Sequence, residues 1–111
     1  MSYEQFAAAI EACDDCAAAC DYCATACLAE PDPKPMARCI SLDLDCAAAC
    51  RVASAFLARD SEMLDVMCEA CAEICDECAE ECAMHDMEHC QACADACRAC
   101  AEECRRVANA Q

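Results

Sequence analysis

In the segment CDDCAAACDYCATAC, residues 13 to 27, Cys13, Cys16, Cys20, Cys23 and Cys27 follow one another at gaps of three, four, three and four residues. On an α-helix such gaps put every sulfur on one stripe. The spacing recurs without a slip at Cys68, Cys71, Cys75, Cys78 and Cys82, and again at Cys90, Cys93, Cys97, Cys100 and Cys104. A sparser row carries Cys39, Cys46 and Cys50. These rows hold all 18 cysteines of the 111-residue chain. A thiolate is both a soft ligand and a nucleophile, so the pattern offers metal binding, disulfide formation or redox catalysis.

Helical neighbours three or four apart have Cβ atoms about 5–6 Å apart, whereas a disulfide wants about 3.5–4.5 Å. Bridges along a stripe would therefore strain the helix that carries them; bridges between helices remain geometrically possible, but the reducing cytosol opposes them. One or two buried, inert thiols are ordinary core residues; matched rows of them on separate segments are not. A thiol oxidoreductase needs a thiol whose pKa is depressed at a helix N-terminus or beside a base. Here the CxxC pairs lie mid-segment among Asp and Glu, so no enzyme is expected. Metal binding is left.

The metal follows from ligand chemistry. Thiolates and thioethers select copper(I). With metal–sulfur bonds of about 2.3 Å, a linear sulfur–copper–sulfur unit spans roughly 4–5 Å. Seven CxxxC pairs, such as Cys16/Cys20 and Cys78/Cys82, offer that span across one helical turn. Six CxxC pairs, such as Cys13/Cys16 and Cys75/Cys78, keep a zinc-thiolate site of metallothionein-like character open as the alternative. An iron–sulfur cluster is a further alternative, although no cysteine-bearing loop of the usual kind is present. If each arriving copper(I) displaces about one thiol proton and most thiolates bridge, capacity is roughly 15–20 ions per chain.

The elements that must carry these rows are readable from their breakers. The prolines of EPDPKP separate a first helix, about residues 3 to 29, from a second, about 34 to 58. Asp60 and Ser61 offer an N-cap for a third, about 61 to 84. The stretch MHDME, with Asp86 as a cap, precedes a fourth that runs to about 108. Four helices of similar length with short joints predict an all-α, antiparallel up-down-up-down four-helix bundle with a cysteine-lined core, one domain over 1–111. The mean cysteine period of 3.5 is that of a bundle seam.

Extended beyond their cysteines, the seams differ at the two ends. Phe6 and Ala9, Ala53 and Leu57, Ser61 and Leu64, and Val107 fall at one end as an apolar plug. Met36, His85 and His89 fall at the other, a mouth whose imidazoles and thioether are candidate entry ligands for copper(I), with Met84 and Met87 as weaker ones. Met63 and Met67 lie in the plugged half and read as packing. Asp43 occupies a seam position between Cys39 and Cys46; it either lends an oxygen to an under-coordinated ion or tilts toward water.

Composition agrees with a liganded interior. Leu, Ile, Val and Phe total 13 residues beside a net charge of −16, which in an ordinary chain implies disorder. Yet 28 Ala and no Gly favour helix, and bound metal would supply the missing stability. The acidic balance, with 7 basic residues, argues against a nucleic-acid partner. No apolar run is long enough to span a membrane. The N-terminal MSYEQFAAAIEAC carries acids where a secretory leader carries bases, so the expected compartment is the reducing cytoplasm.

Inward-facing CxxxC pairs on four helices, with His and Met near one end, resemble the copper storage protein family over nearly the whole chain. The resemblance implies a four-helix bundle that sequesters many copper(I) ions on its cysteines, in the cytosolic branch of the family. It also implies a homo-oligomer, a tetramer of bundles. Copper donor or acceptor proteins, or small thiols, are the partners such a store needs.

Overall fold

Alanine follows cysteine in a repeating way along the seams, at Ala17 and Ala24, Ala47, Ala72 and Ala79, and Ala94 and Ala101. All of these alanines are buried. A methyl group beside each thiol row lets helices approach closely, and alanine's high helix propensity keeps the backbone regular. The resulting bundle is long and thin, 48 × 18 × 17 Å.

The structure, a computed structural model, describes residues 3–110. A 3-10 turn, Tyr3–Phe6, leads into α1, Ala7–Leu28. A second 3-10 turn, Lys34–Met36, leads into α2, Ala37–Ala58. Helix α3 covers Leu64–Ala83, and α4 covers Glu88–Ala110. Each helix packs mainly on two others: α1 on α2 and α4, and α3 on α2 and α4. That leaves α1 and α3, and α2 and α4, on the diagonals of a square, the arrangement expected of an up-down-up-down bundle. Among the described residues there is no strand.

The turns show where local sequence and structure part. Helix α3 begins at Leu64 rather than near residue 61, and its N-cap is Met63. Asp60 and Ser61 belong instead to the end of α2. Asp60 takes φ = 50°, the left-handed conformation that usually calls for glycine. Its amide donates to the Leu57 carbonyl and that of Ser61 to the Phe56 carbonyl, a Schellman ending. The Ser61 hydroxyl accepts from the Met63 amide at 3.1 Å, tightening the turn instead of capping the helix.

Helix α4 likewise starts after Met87, whose carbonyl accepts from the Cys90 and Gln91 amides. Asp86 sits one residue too early to cap it. The Gln91 side-chain amide clasps this turn, donating to the carbonyls of His85 at 2.7 Å and Ala83 at 3.1 Å.

At the turnless end of α1 and α4 the expected plug is present: Phe6, Ala9, Ala53, Leu57, Leu64 and Val107 are all buried. Ser61 is half-buried at its edge. Met67 packs against the core, but Met63 is 51% exposed and is not part of the plug.

Candidate metal centre

Every one of the 18 cysteines is buried and carries a free thiol. The 3.5-residue seam turns each row inward, so the four rows converge along the bundle axis. At the plugged end Cys13 lies 3.7 Å from Cys104 and 3.6 Å from Cys100. Mid-bundle, Cys16 lies 3.7 Å from both Cys46 and Cys97, and Cys46 3.6 Å from Cys75. Nearer the turns, Cys20 meets Cys93 at 3.6 Å and Cys39 meets Cys82 at 3.4 Å. Sulfurs also meet across the diagonal, Cys50 and Cys100 at 3.7 Å.

These separations are far longer than the roughly 2.05 Å of a sulfur–sulfur bond. Within one helix, the CxxxC sulfurs of Cys16/Cys20, Cys23/Cys27, Cys46/Cys50, Cys71/Cys75 and Cys78/Cys82 stand 3.9–4.0 Å apart. They are poised to close on an ion placed between them.

The thiols form overlapping groups of four. Cys16, Cys46, Cys50 and Cys75 make one; Cys16, Cys20, Cys46 and Cys97 another; Cys20, Cys78, Cys93 and Cys97 a third. Cys16, Cys20, Cys46 and Cys97 each serve two of these groups. Shared ligands are ill suited to separate, closed tetrahedral zinc sites, which each take four ligands of their own. Charge points the same way. A divalent ion held by four thiolates leaves two uncompensated negative charges in a dry interior, whereas one copper(I) per thiolate leaves none.

Burial opposes ionisation of the thiols nearest the mouth. Removal from water pushes the Cys27 thiol well up, and burial raises Cys90 to about 11. Copper(I) must therefore displace protons to enter, and binding weakens as pH falls.

Asp43 does not tilt toward water. It is 0% exposed, on α2, in the middle of the thiols. Its Oδ1 accepts from Cys78, Cys82 and Cys93 at 3.2–3.3 Å. Cys39 approaches Oδ2 at 3.8 Å. Burial, reinforced by the neighbouring Cys93 sulfur, raises the carboxyl to about 10, so it is neutral at pH 7.

At the mouth the structure places His89 against the thiols. Its Nδ1 lies 3.5 Å from Cys23, 3.6 Å from Cys90 and 3.9 Å from Cys27. Its Nε2 faces Glu30 at 3.4 Å, and Tyr22 stands edge-on to the ring at 6.5 Å. His85 contacts a carboxylate rather than a thiol: Nε2 lies 2.8 Å from Glu81 Oε2. Arg38 donates to the other Glu81 oxygen at 2.8 Å, tying α2 to α3. These contacts hold Glu81 below the usual carboxylate range, His85 first and Arg38 second. Met36 is buried beneath the turn. Met87 is half-buried against the core, while Met84 is 68% exposed.

Glu30, Glu81 and Arg38 carry no mark in the sequence that separates them from the other charged residues. Only Glu81, four positions before His85 on a predicted helix, offers a readable pair. Glu30 and His89 meet only in three dimensions.

The sequence matches the family described as copper storage protein over residues 2–109. This chain belongs to the copper storage protein family. Among solved copper storage proteins, the Cu(I)-bound BsCsp3 of Bacillus subtilis superposes with a TM-score of 0.89 at 46% identity, covering 96% of this chain and 99% of that one. A cytosolic copper storage protein from Streptomyces lividans, holding five coppers, superposes with a TM-score of 0.92 at 40% identity, over 96% of this chain and 94% of that one. An uncharacterized cysteine-rich protein of Bacillus subtilis, YhjQ, is 47% identical over 87 residues, 78% of this chain and 81% of its own length. Among the described residues, no helix is long and apolar enough to cross a membrane.

Proposed function

We propose that this copper storage protein holds roughly 15–20 copper(I) ions per chain on its thiolates, as soft-ligand bridging implies. The observation that carries this is the sharing of Cys16, Cys20, Cys46 and Cys97 between neighbouring four-thiol groups. Shared sulfurs let one ion's ligands serve the next, so the seams fill as one chain of sites rather than as a few isolated centres. Each CxxxC pair grips an ion from one helix, and the facing helices supply the bridging sulfurs. Asp43, inside the thiol row, lends an oxygen where α2 lacks a cysteine.

Entry is through the mouth. Met36, His85 and His89 offer donors that bind copper(I) without first losing a thiol proton, and His89 passes it to Cys23, Cys27 and Cys90. Hydrocarbon closes the opposite end. The role is storage and not turnover, in the cytoplasm, as for the Streptomyces lividans relative. Copper donor and acceptor proteins or small thiols exchange ions with it, and the assembled form is a homotetramer.

Anaerobic titration of the reduced protein with copper(I), read by native mass spectrometry, tests the reading. Saturation at roughly 15–20 ions per chain, with a colourless product, is the expected result. Saturation at four or five ions overturns it in favour of separate tetrahedral sites, and a brown, iron-containing protein as purified, before any titration, in favour of iron–sulfur.

A further inference from the structure

Both mouth histidines engage a carboxylate through the same nitrogen. His85 presents Nε2 to Glu81 at 2.8 Å, and His89 presents Nε2 to Glu30 at 3.4 Å. A carboxylate only accepts, so in each pair the imidazole is the donor and Nε2 carries the proton. A neutral imidazole has one proton, which leaves Nδ1 with its lone pair. In His89 that nitrogen is the one facing Cys23, Cys27 and Cys90. Ligating histidines commonly depend on such a partner to fix tautomer and ring orientation.

We propose that Glu30 is a positioning residue for copper entry: it takes the Nε2 proton of His89 and so aims a bare Nδ1 at the incoming ion, while Glu81 fixes the same tautomer in His85. The proposal rests on the entry role assigned to His85 and His89 above. Glu81 is itself fixed from the far side by Arg38, and its burial makes it a rigid stop. Glu30 follows α1 just ahead of Pro31, where the chain leaves the helix, and the Glu30 amide donates to the Cys27 carbonyl at 3.2 Å. That bond anchors the carboxylate's backbone over the mouth. Tyr22, edge-on to the His89 ring, limits its rotation from the α1 side.

Glu30 is the better residue to test, because it is partly exposed and bridges no other helix pair. In the apo protein, nitrogen-15 spectra of the histidine side chains should show His89 with a protected Nε2 proton and an unprotonated Nδ1. Glu30→Ala should lose that protection, while Glu30→Gln, which keeps an acceptor oxygen, should restore most of it. Stopped-flow loading with a soluble copper(I) complex should be slowed about 3–10-fold by Glu30→Ala, at or below the foot of the roughly 10–100-fold by which second-shell losses impair a resident metal site. In a His89→Ala background the same change should add nothing. An equal slowing in that background makes Glu30 a mere attracting charge and overturns the proposal. Slow loading in His89→Ala with normal loading and normal spectra in Glu30→Ala overturns the proposal alone. Wild-type loading in His89→Ala overturns the His89 entry role, and the proposal with it.

Discussion

At one end of the bundle Phe6, Leu57, Leu64 and Val107 close the interior with hydrocarbon; at the other, Met36, His85 and His89 meet the same four seams with donor atoms. Between them the interior is sulfur. The plug is the part of this protein that folds as other bundles fold, by removing apolar surface from water. The thiol rows contribute less, since each Cys packs as a small hydrophobe. The mouth contributes polar contacts that hold groups in place. Stability and function are thus separated along the axis.

The largest effect should come from metal. Ions that bind only the folded chain stabilise it by about 2.7 kcal/mol each when present at a hundred times their Kd. Summed over the roughly 15–20 ions inferred from soft-ligand chemistry, that reaches tens of kcal/mol. Loaded protein should resist heat and denaturant that unfold the apo form, and excess chelator should abolish the difference in calorimetry. Equal melting of the two forms would mean that the metal sits outside the bundle.

Next in size is the contrast between plug and tube. Leu57→Ala removes a fully buried side chain and should cost the apo protein about 2–4 kcal/mol in denaturant unfolding, within the range for large-to-small core changes. Its copper capacity should stay unchanged. Cys46→Ala should do the reverse: a small loss of stability, and a capacity lower by more than one ion, because Cys46 belongs to two four-thiol groups. If both variants lose capacity equally, the two regions are not separable.

Asp43 should produce a pH effect of intermediate size. Its folded pKa is raised to about 10, mainly by burial, above an ordinary value near 3.8. Its neutral form is the one the fold accepts. The favourable contribution is therefore complete below pH 4 and disappears as pH rises toward 10, at a slope of at most about 1.4 kcal/mol per pH unit. Glu81, held low by His85 and Arg38, acts oppositely, but only as pH falls through and below its ordinary value of 4.5. Between pH 5 and 8 the apo protein should lose about 1–3 kcal/mol that Asp43→Asn retains. A flat profile in the parent protein, or the same slope in Asp43→Asn, assigns the effect elsewhere.

How much of this was legible before the fold depends on the kind of signal. The seams and the plug follow from period alone, because Cys16 and Cys20, or Phe6 and Ala9, need only the helix to define their direction. Asp43 was visible as a polar residue in a thiol row, but not which way it faced; the surrounding sulfurs decide that. Helix α3 starts about three residues later than the pattern predicts, because Asp60 takes a left-handed conformation that sequence patterns associate with glycine. Glu30 was invisible for another reason: among 23 acidic residues, nothing local marks the one that closes on His89.

The smallest effects concern the methionines of the mouth, and burial ranks them. Met36 is 4% exposed and starts α2 beneath the turn; Met87 is half-buried; Met84 is 68% exposed. A thioether can hand an ion inward only if its sulfur can reach the thiols it feeds. Substitution by Ala should therefore slow loading in the order Met36, Met87, Met84, with the last within about twofold of the parent rate, as expected of a surface change. The double change His85→Ala/His89→Ala, which removes both imidazole donors, should exceed all three while leaving final capacity within one or two ions. A Met84→Ala variant slower than Met36→Ala would move the first contact outward, from the buried rim to the exposed crest of the turn.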